Sequence, residues 1–534
     1  MPEKEFNLLH EPWILVMKPD SVTEEVSLLE LFRRAPEFNC LAGELPTQDM
    51  AVLRLLLAIL HAVFGRYDLD GTWAPLDLES ATPTMALSRW KALRDNGAFP
   101  MPIIEDYLLH YEDRFWLFHP ERPFYQVVSL EKGTEYKASK MNGELSESNN
   151  KVRLFPSRTK EEKGALSYPE AARWLLYVNA FDDTAAKRVG KDLPSPGAGW
   201  LGKLGLIAAV GENLFETLLL NLVLLKDGTD ELWGVEKPVW EAEIVKAAER
   251  TKITIPDNLS ELLTLQSRRL LLRREENFVV GYVLLGGDFF PKENALSEQM
   301  TLWRNDAKKE SDPPLLNPKR HDPARQFWRD FSALMGQGRS SRPPGVVRWV
   351  SRLKQENLIA SSHFRFQTAS VKYGDKDFFA DDVFGDSLSF NAGLLTSLGS
   401  DWVNRIVGEI ELTEKLVRQA GYLAQNLALA AGNADGSGAR SIAREQAYFR
   451  LDIPFRRWLE GIDPERGSMN TVCDQWWQQE VGIVRALGRE LVTQAGPQAF
   501  VGRDGHATPN EYNRFLYYTS SRQLLEAAGK KERR

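Results

Sequence analysis

From about residue 400 onward the chain settles into four long stretches whose apolar residues recur with a helical period: "WVNRIVGEIELTEKLVRQAGYLAQNLALAAG", "ARSIAREQAYFRLDIPFRRWLEGI", "MNTVCDQWWQQEVGIVRALGRELVTQAG" and "NEYNRFLYYTSSRQLLEAAGK". An amphipathic helix must bury its apolar stripe against another element, and short Gly-, Asp- and Pro-bearing connections keep successive helices adjacent. A four-helix bundle over 391–534 is the economical solution.

Residues 1–390 have a different texture. "AVLRLLLAILHAVFG" at 51–65 is apolar on nearly every face, so it belongs inside a core. Around it, short strand-like and helix-like runs alternate irregularly. The region 228–300 combines tryptophans with strand-like runs, which points to a mixed sheet. The polar, aperiodic "KMNGELSESNNKVRLFPSRTKEEKG" at 140–164 reads as a long exposed loop. With 534 residues, 43% of them hydrophobic, the chain exceeds one ordinary core. The expected class is α+β: a large mixed α/β domain over 1–390, followed by the bundle.

A formal net charge of -7 opposes nucleic-acid binding by bulk charge and leaves room for a local basic groove in an acidic body, acting inside a complex. Cys40 and Cys473, far apart, build neither a disulfide framework nor a cysteine zinc site. The N-terminus lacks a basic region followed by an apolar run, and no stretch reaches the roughly 18 apolar residues of a bilayer span, so the expected compartment is the cytoplasm, with no membrane partner.

Catalysis has no visible home: there is no G-x-S-x-G, no H-E-x-x-H and no Walker A lysine motif. The seven histidines lack ligand spacing, and His61, on the apolar helix, reads as a core residue. Asp375, Asp377, Asp381, Asp382 and Asp386 do not follow the EF-hand order, which leaves a solvated loop. No catalytic residue, cofactor or metal is therefore expected. Arg268 and Arg269 of "SRR" read as a charged strand edge, with phosphate contact as the alternative.

"SPGAGWLGKLG" carries G-x-G-x-x-G at Gly197, Gly199 and Gly202, between two helical patterns, "YPEAARWLLYVNAF" and "GENLFETLLLNLVLL". A dinucleotide fingerprint needs a strand directly before it, and "AAKRVGKDLPSP" is none. A flexible linker or a close approach of bare backbone to a partner remains.

Several segments in order resemble one family, the large subunit (CasA) of Cascade, the type I-E CRISPR surveillance complex. They are "FNLLHEPWI" near the N-terminus, "RPFYQ" at Arg122–Gln126, Pro196–Gly199, "LTLQSRR", "GDFFPKEN" followed by "MTLWR", and the terminal bundle. The resemblance implies a non-catalytic antiviral subunit that recognises the protospacer-adjacent motif of foreign double-stranded DNA. It helps open the duplex for R-loop formation and supports recruitment of the helicase-nuclease. Its partners would be the guide RNA 5' handle, the target duplex and the backbone and small subunits. Guide pairing reads the sequence while the protein reads the short flanking duplex from its minor groove.

On this resemblance Gly197, Ala198 and Gly199 lie against the groove, and Lys292 in "FFPKEN" points at the flanking duplex. Leu154 and Phe155 are the candidates for contact with the RNA 5' handle. The family's wedge hairpin falls on "YGDKDFF", where its glutamine is missing and Lys376 and Asp377 occupy the tip. The cysteine cluster of some members is absent, so their metal is not expected. Two other classes compete: a nucleotide-dependent enzyme using the Gly197 loop, and a purely structural docking protein.

Overall fold

Pro46 stands in the first turn of helix α1 (Pro46–Phe64), where its missing N–H is harmless, and Gly65 ends the helix. Nearly all of α1 is buried, including Arg54, whose guanidinium forks onto the carboxylate of Glu298 at 2.7 and 3.1 Å. Among the described residues it is the one helix long and apolar enough to cross a bilayer, yet 94% of that window lies inside the protein. It is a core helix, as its all-round apolarity demands. The computed structural model describes residues 4–130, 133–147, 156–159, 162–183, 193–243, 250–309, 312–338, 342–503 and 505–531.

Strand β1 (Thr134–Lys137), whose residues alternate between half-buried and exposed, leads into a helical turn, Ala138–Met141, with Ala138, Lys140 and Met141 buried, and then to the buried Asn142 and Leu145. The stretch expected to be exposed from residue 140 therefore starts inside the fold. Met141 and Leu145 supply apolar contacts, and the ammonium of Lys140 is neutralised by the buried carboxylate of Asp183.

Helix α2 (Tyr168–Phe181) opens with a capping box, Ser167 and Glu170 each bonding the other's backbone N–H, and with a proline in the first turn. Beyond it come the glycine stretch, a single 3-10 turn at Leu201–Lys203, strand β2 (Ile207–Val210) and only then the helix Leu214–Asn221. The glycine stretch thus does not join two helices. "LIAAV" is a short, buried apolar run that pairs as a strand instead.

Strands β3 (Arg268–Glu275) and β4 (Phe278–Gly286) form a hairpin with β1 on its far side, order β1-β4-β3, antiparallel throughout. This replaces the expected mixed sheet in that region. A second three-stranded sheet has the order β6-β5-β2, with β5 (His363–Tyr373) antiparallel to β2 from Arg365 opposite Val210 to Thr368 opposite Ile207, and β6 (Ala380–Asn391) on its other edge.

The chain divides into two compact units: residues 1–323, 336–359 and 365–387, and residues 324–335, 360–364 and 388–534. The second takes in two segments that precede the expected boundary at 390/391. In it, α3 (Ser400–Ala430), α4 (Ser437–Glu460) and α5 (Met469–Gln494) pack on one another as their periods require. Trp328, from the first of the early segments, stacks on Phe455 at 4.2 Å and donates to Asp452 at 2.9 Å. The last expected helix is two, α6 (Thr508–Tyr518) and α7 (Arg522–Lys531). At the break the hydroxyls of Thr519 and Ser520 donate to the carbonyls of Phe515 and Tyr517 at 2.9 and 2.8 Å, competing with the helical ladder. A mixed α/β unit and a helical unit make the class α+β, as expected.

Candidate nucleic-acid interface

The glycine loop, described from residue 193, bonds to the end of α2 at Asp182 and to Ser267, just before β3. Gly197 has φ +63°, the left-handed region that glycine enters without strain, and it keeps a partly exposed face. A Cβ there would meet Lys203 Cε at an ordinary 3.6 Å. Its neighbours differ: Ala198 is buried, and a Cβ on Gly199 would collide with the carbonyl of Ala180. Gly202 has the Tyr373 hydroxyl where a side chain would go, and Gly205 has the Lys319 carbonyl. Three of the four glycines are therefore bare because their own chain touches them, and only Gly197 offers backbone outward.

Cations hold that backbone in place. Arg268, 1% exposed, donates through Nη2 to the carbonyl of Gly197 at 2.6 Å and to those of Asp182 and Asp183 at 3.1 Å, and through Nε to the Asp182 carboxylate at 2.6 Å. Lys203 donates to the Pro196 carbonyl at 3.2 Å, and Arg250 to that of Pro194 at 2.8 Å. The loop's own N–H groups are engaged as well: Gly199 donates to the Asp182 carbonyl at 2.8 Å and Trp200 to Ser267 Oγ at 2.9 Å. Arg268 is thus neither the charged strand edge nor the phosphate contact read from "SRR"; it is a buried clamp. Arg269, equally buried, pairs with Asp288.

Burial lowers the Lys203 pKa to about 8, assisted by the neighbouring charges of Arg268, Arg320 and Arg250 and opposed by Asp377. Arg268 and Arg320 are paired with Asp182 and Asp377, and Lys203 and Arg250 add two further cations beneath the loop, in a chain of net charge -7.

The "YGDKDFF" hairpin tip stands beside the loop. Tyr373 donates from its hydroxyl to the Phe181 carbonyl at 2.6 Å, so the root of the tip is fastened to the end of α2. Asp377 accepts both Nη groups of Arg320, at 2.7 and 3.1 Å, and lies in neither a free nor a repelled state. Lys376, with φ 54°, is exposed, and among the described residues its ammonium has no partner. The "FFPKEN" segment also reaches the loop, through Phe290, whose ring meets that of Trp200 edge-on at 4.2 Å. Lys292 begins the 3-10 turn Lys292–Ser297. Leu154 and Phe155 lie outside the described residues.

The structure therefore brings together three of the segments singled out in the sequence: the glycine loop, "FFPKEN" and the hairpin tip. Sequence reasoning missed the roles of Lys203, Arg250, Arg320 and Tyr373; the partners of the last three lie far away along the chain, and Lys203 folds back onto Pro196, seven residues earlier. The doublet Asp182 and Asp183, which anchors Arg268 on one side and Lys140 on the other, carried no local signal either.

The family model for CRISPR-associated protein Cse1 matches residues 7–487. The CRISPR-associated protein CasA/Cse1 of Thermus thermophilus is 30% identical over 485 residues, 86% of this chain and 88% of that protein. The crystal structure of Thermobifida fusca Cse1 superposes with a TM-score of 0.83 at 31% identity, covering 98% of both chains. A chain of a CRISPR RNA-guided surveillance complex shares the fold, with a TM-score of 0.65 at 16% identity over 92% of this chain and all of that one. Matched along most of its length in both sequence and fold, this chain belongs to the Cse1 (CasA) family of CRISPR-associated proteins.

Proposed function

We propose that this chain is the non-catalytic subunit of a type I-E RNA-guided surveillance complex that reads the motif flanking a target in foreign double-stranded DNA. It helps open the duplex for R-loop formation and supports recruitment of the helicase-nuclease, in the cytoplasm, in company with the backbone and small subunits. The observation that carries this reading is the partly exposed face of Gly197, in a loop whose carbonyls at Pro194, Pro196 and Gly197 are each held by a cation in an otherwise acidic chain. A bare, rigid, positively underlaid ridge suits a narrow, negatively charged minor groove.

In this reading Gly197 enters the groove, and Ala198 and Gly199 set its height from beneath. Lys292 approaches the flanking duplex, and Lys376 makes the contact at the tip. Asp377, neutralised by Arg320, positions the turn instead of touching bases. Leu154 and Phe155 meet the RNA 5' handle. The dinucleotide alternative loses support, because Tyr373 fills the face of the third glycine and no helix opens there.

Gly197→Asn tests the reading, since asparagine tolerates the left-handed region while placing a side chain where the groove would be. Assembled complexes carrying it should melt like the parent and bind motif-bearing duplex about tenfold more weakly, on the scale of one or two lost contacts. Unchanged affinity in a folded complex would sink the proposal.

A further inference from the structure

In the first unit a concavity of about 60 Å³ is lined by Arg114, Arg122, Phe124, Tyr125, Trp240 and Gln266, among others. That is the share of roughly two water molecules, or of one small oxyanion. Its polar groups are left over by the fold. Arg114 spends Nη2 on the Ala242 carbonyl at 2.7 Å, and among the described residues neither it nor Arg122 has a carboxylate partner. The nearby carboxylate of Asp113 is already taken by Lys4 and His119. Gln266 is 6% and Tyr125 9% exposed; among the described residues the carboxamide of one and the hydroxyl of the other have no hydrogen-bond partner, and neither group is sealed from solvent.

Two unneutralised guanidinium groups in one concavity repel each other. The pKa of Arg114 is lowered accordingly, first by burial and then by the charge of Arg122, with Asp113 opposing. Arg122 is exposed and Arg114 half-buried, so these donors reach solvent and stand open to a ligand. The donor set also selects the ligand. Two planar guanidinium forks, a phenol and a carboxamide offer more N–H and O–H groups than the two oxygens of a carboxylate accommodate, whereas a phosphate presents three or four acceptor oxygens. Phe124 and Trp240 supply apolar walls beside those contacts.

We infer that this concavity is a phosphate-binding site, with Arg114 and Arg122 as the charged clamps and Tyr125 and Gln266 as neutral donors. The phosphate is either a free ion or a group of a nucleic-acid strand. The site does not rest on the reading of the flanking motif.

The test is calorimetry at fixed ionic strength on the full chain, with inorganic phosphate and with a uridylate oligomer lacking terminal phosphates. The parent should bind phosphate saturably, Arg122→Gln about tenfold more weakly as expected for one lost charge-assisted contact, and Tyr125→Phe more weakly too, with ligand-free melting unchanged in both. An oligomer that competes with phosphate assigns the site to a strand; one that does not assigns it to the free ion, and either supports the inference. Absence of saturable phosphate binding in the parent, parental affinity in Arg122→Gln, or equal competition by acetate would each overturn it. None of these readouts uses motif-bearing DNA, so they fail or succeed independently of the function proposed above.

Discussion

Arg268 and Gly197 are 71 positions apart and joined by a 2.6 Å hydrogen bond from Nη2 to the glycine carbonyl. The same guanidinium neutralises Asp182, whose side chain is 4% exposed. Removing it would leave a buried carboxylate uncompensated, a loss on the order of 3–5 kcal/mol. We expect Arg268→Met to lower the unfolding midpoint by that scale in urea titration. Arg268→Lys should not restore it, because a single ammonium cannot replace the fork that reaches a carboxylate and several carbonyls together.

The two loop glycines should respond differently. Gly199→Ala drives a methyl into the Ala180 carbonyl, and overpacking of this kind costs about 1–3 kcal/mol. Gly197→Ala meets only ordinary contacts and pays for its left-handed φ, about 1 kcal/mol. Equal losses in thermal denaturation would refute this division between a packed and an offered glycine.

Lys203 ties loop stability to pH. Its folded pKa of about 8 lies below the ordinary 10.5, so between those values the unfolded chain holds a proton that the folded chain has released. Stability from this group therefore rises with pH across that window. Relative to Lys203→Met, the parent should gain as pH is raised from about 8 to about 10, and urea midpoints compared at the two ends would measure it. A constant difference would mean that the ammonium is not desolvated.

The helical unit carries the opposite dependence at Glu480. Burial pushes its carboxyl well above the ordinary 4.5, against the favourable hydrogen bond from Thr413, while its Oε1 has no hydrogen-bond partner among the described residues. Because the folded pKa is raised, the contribution declines as pH climbs past the ordinary carboxylate value. Glu480→Gln keeps the shape without the titration, and it should gain on the parent between about pH 5 and pH 8. Parallel stability curves for the two proteins would contradict this.

At the hairpin tip, Lys376→Ala should slow R-loop formation on fully paired targets and recover on targets already unpaired beside the motif, where unstacking no longer has to be driven. Asp377→Ala, by contrast, releases Arg320 and adds positive charge beside the loop. It should cost at most about 1 kcal/mol of stability, as a half-exposed ion pair does. Equal defects of Lys376→Ala on both targets would reduce this residue to an electrostatic contact.

Long periods were the easiest part of this chain to read. Three helices of the second unit, and the burial of α1, follow from where their apolar residues repeat. What escaped were effects with no local period. Thr519 and Ser520 split the last helix through hydroxyl bonds to the preceding carbonyls. "LIAAV" became a strand because a partner strand was waiting more than 150 residues later. The glycine spacing was visible, but its cause was not: Ala180, Tyr373 and Lys319, which fill the missing side-chain positions, are fixed only by tertiary packing. Arg268 looked like surface because arginine usually is, and only Asp182 makes its burial tolerable.

The neighbouring aspartates at the end of α2 face different loads. Asp182 holds the clamp on Gly197, while Asp183 holds Lys140 at the head of the 140–164 segment. Two stretches of chain far apart in sequence thus share one knot, two residues wide. Insertions or deletions in either stretch must leave that knot tied, so the pair should drift together among relatives: shortening one stretch without compensating at Asp183 would be felt at the ridge of Gly197, whichever ligand either stretch receives.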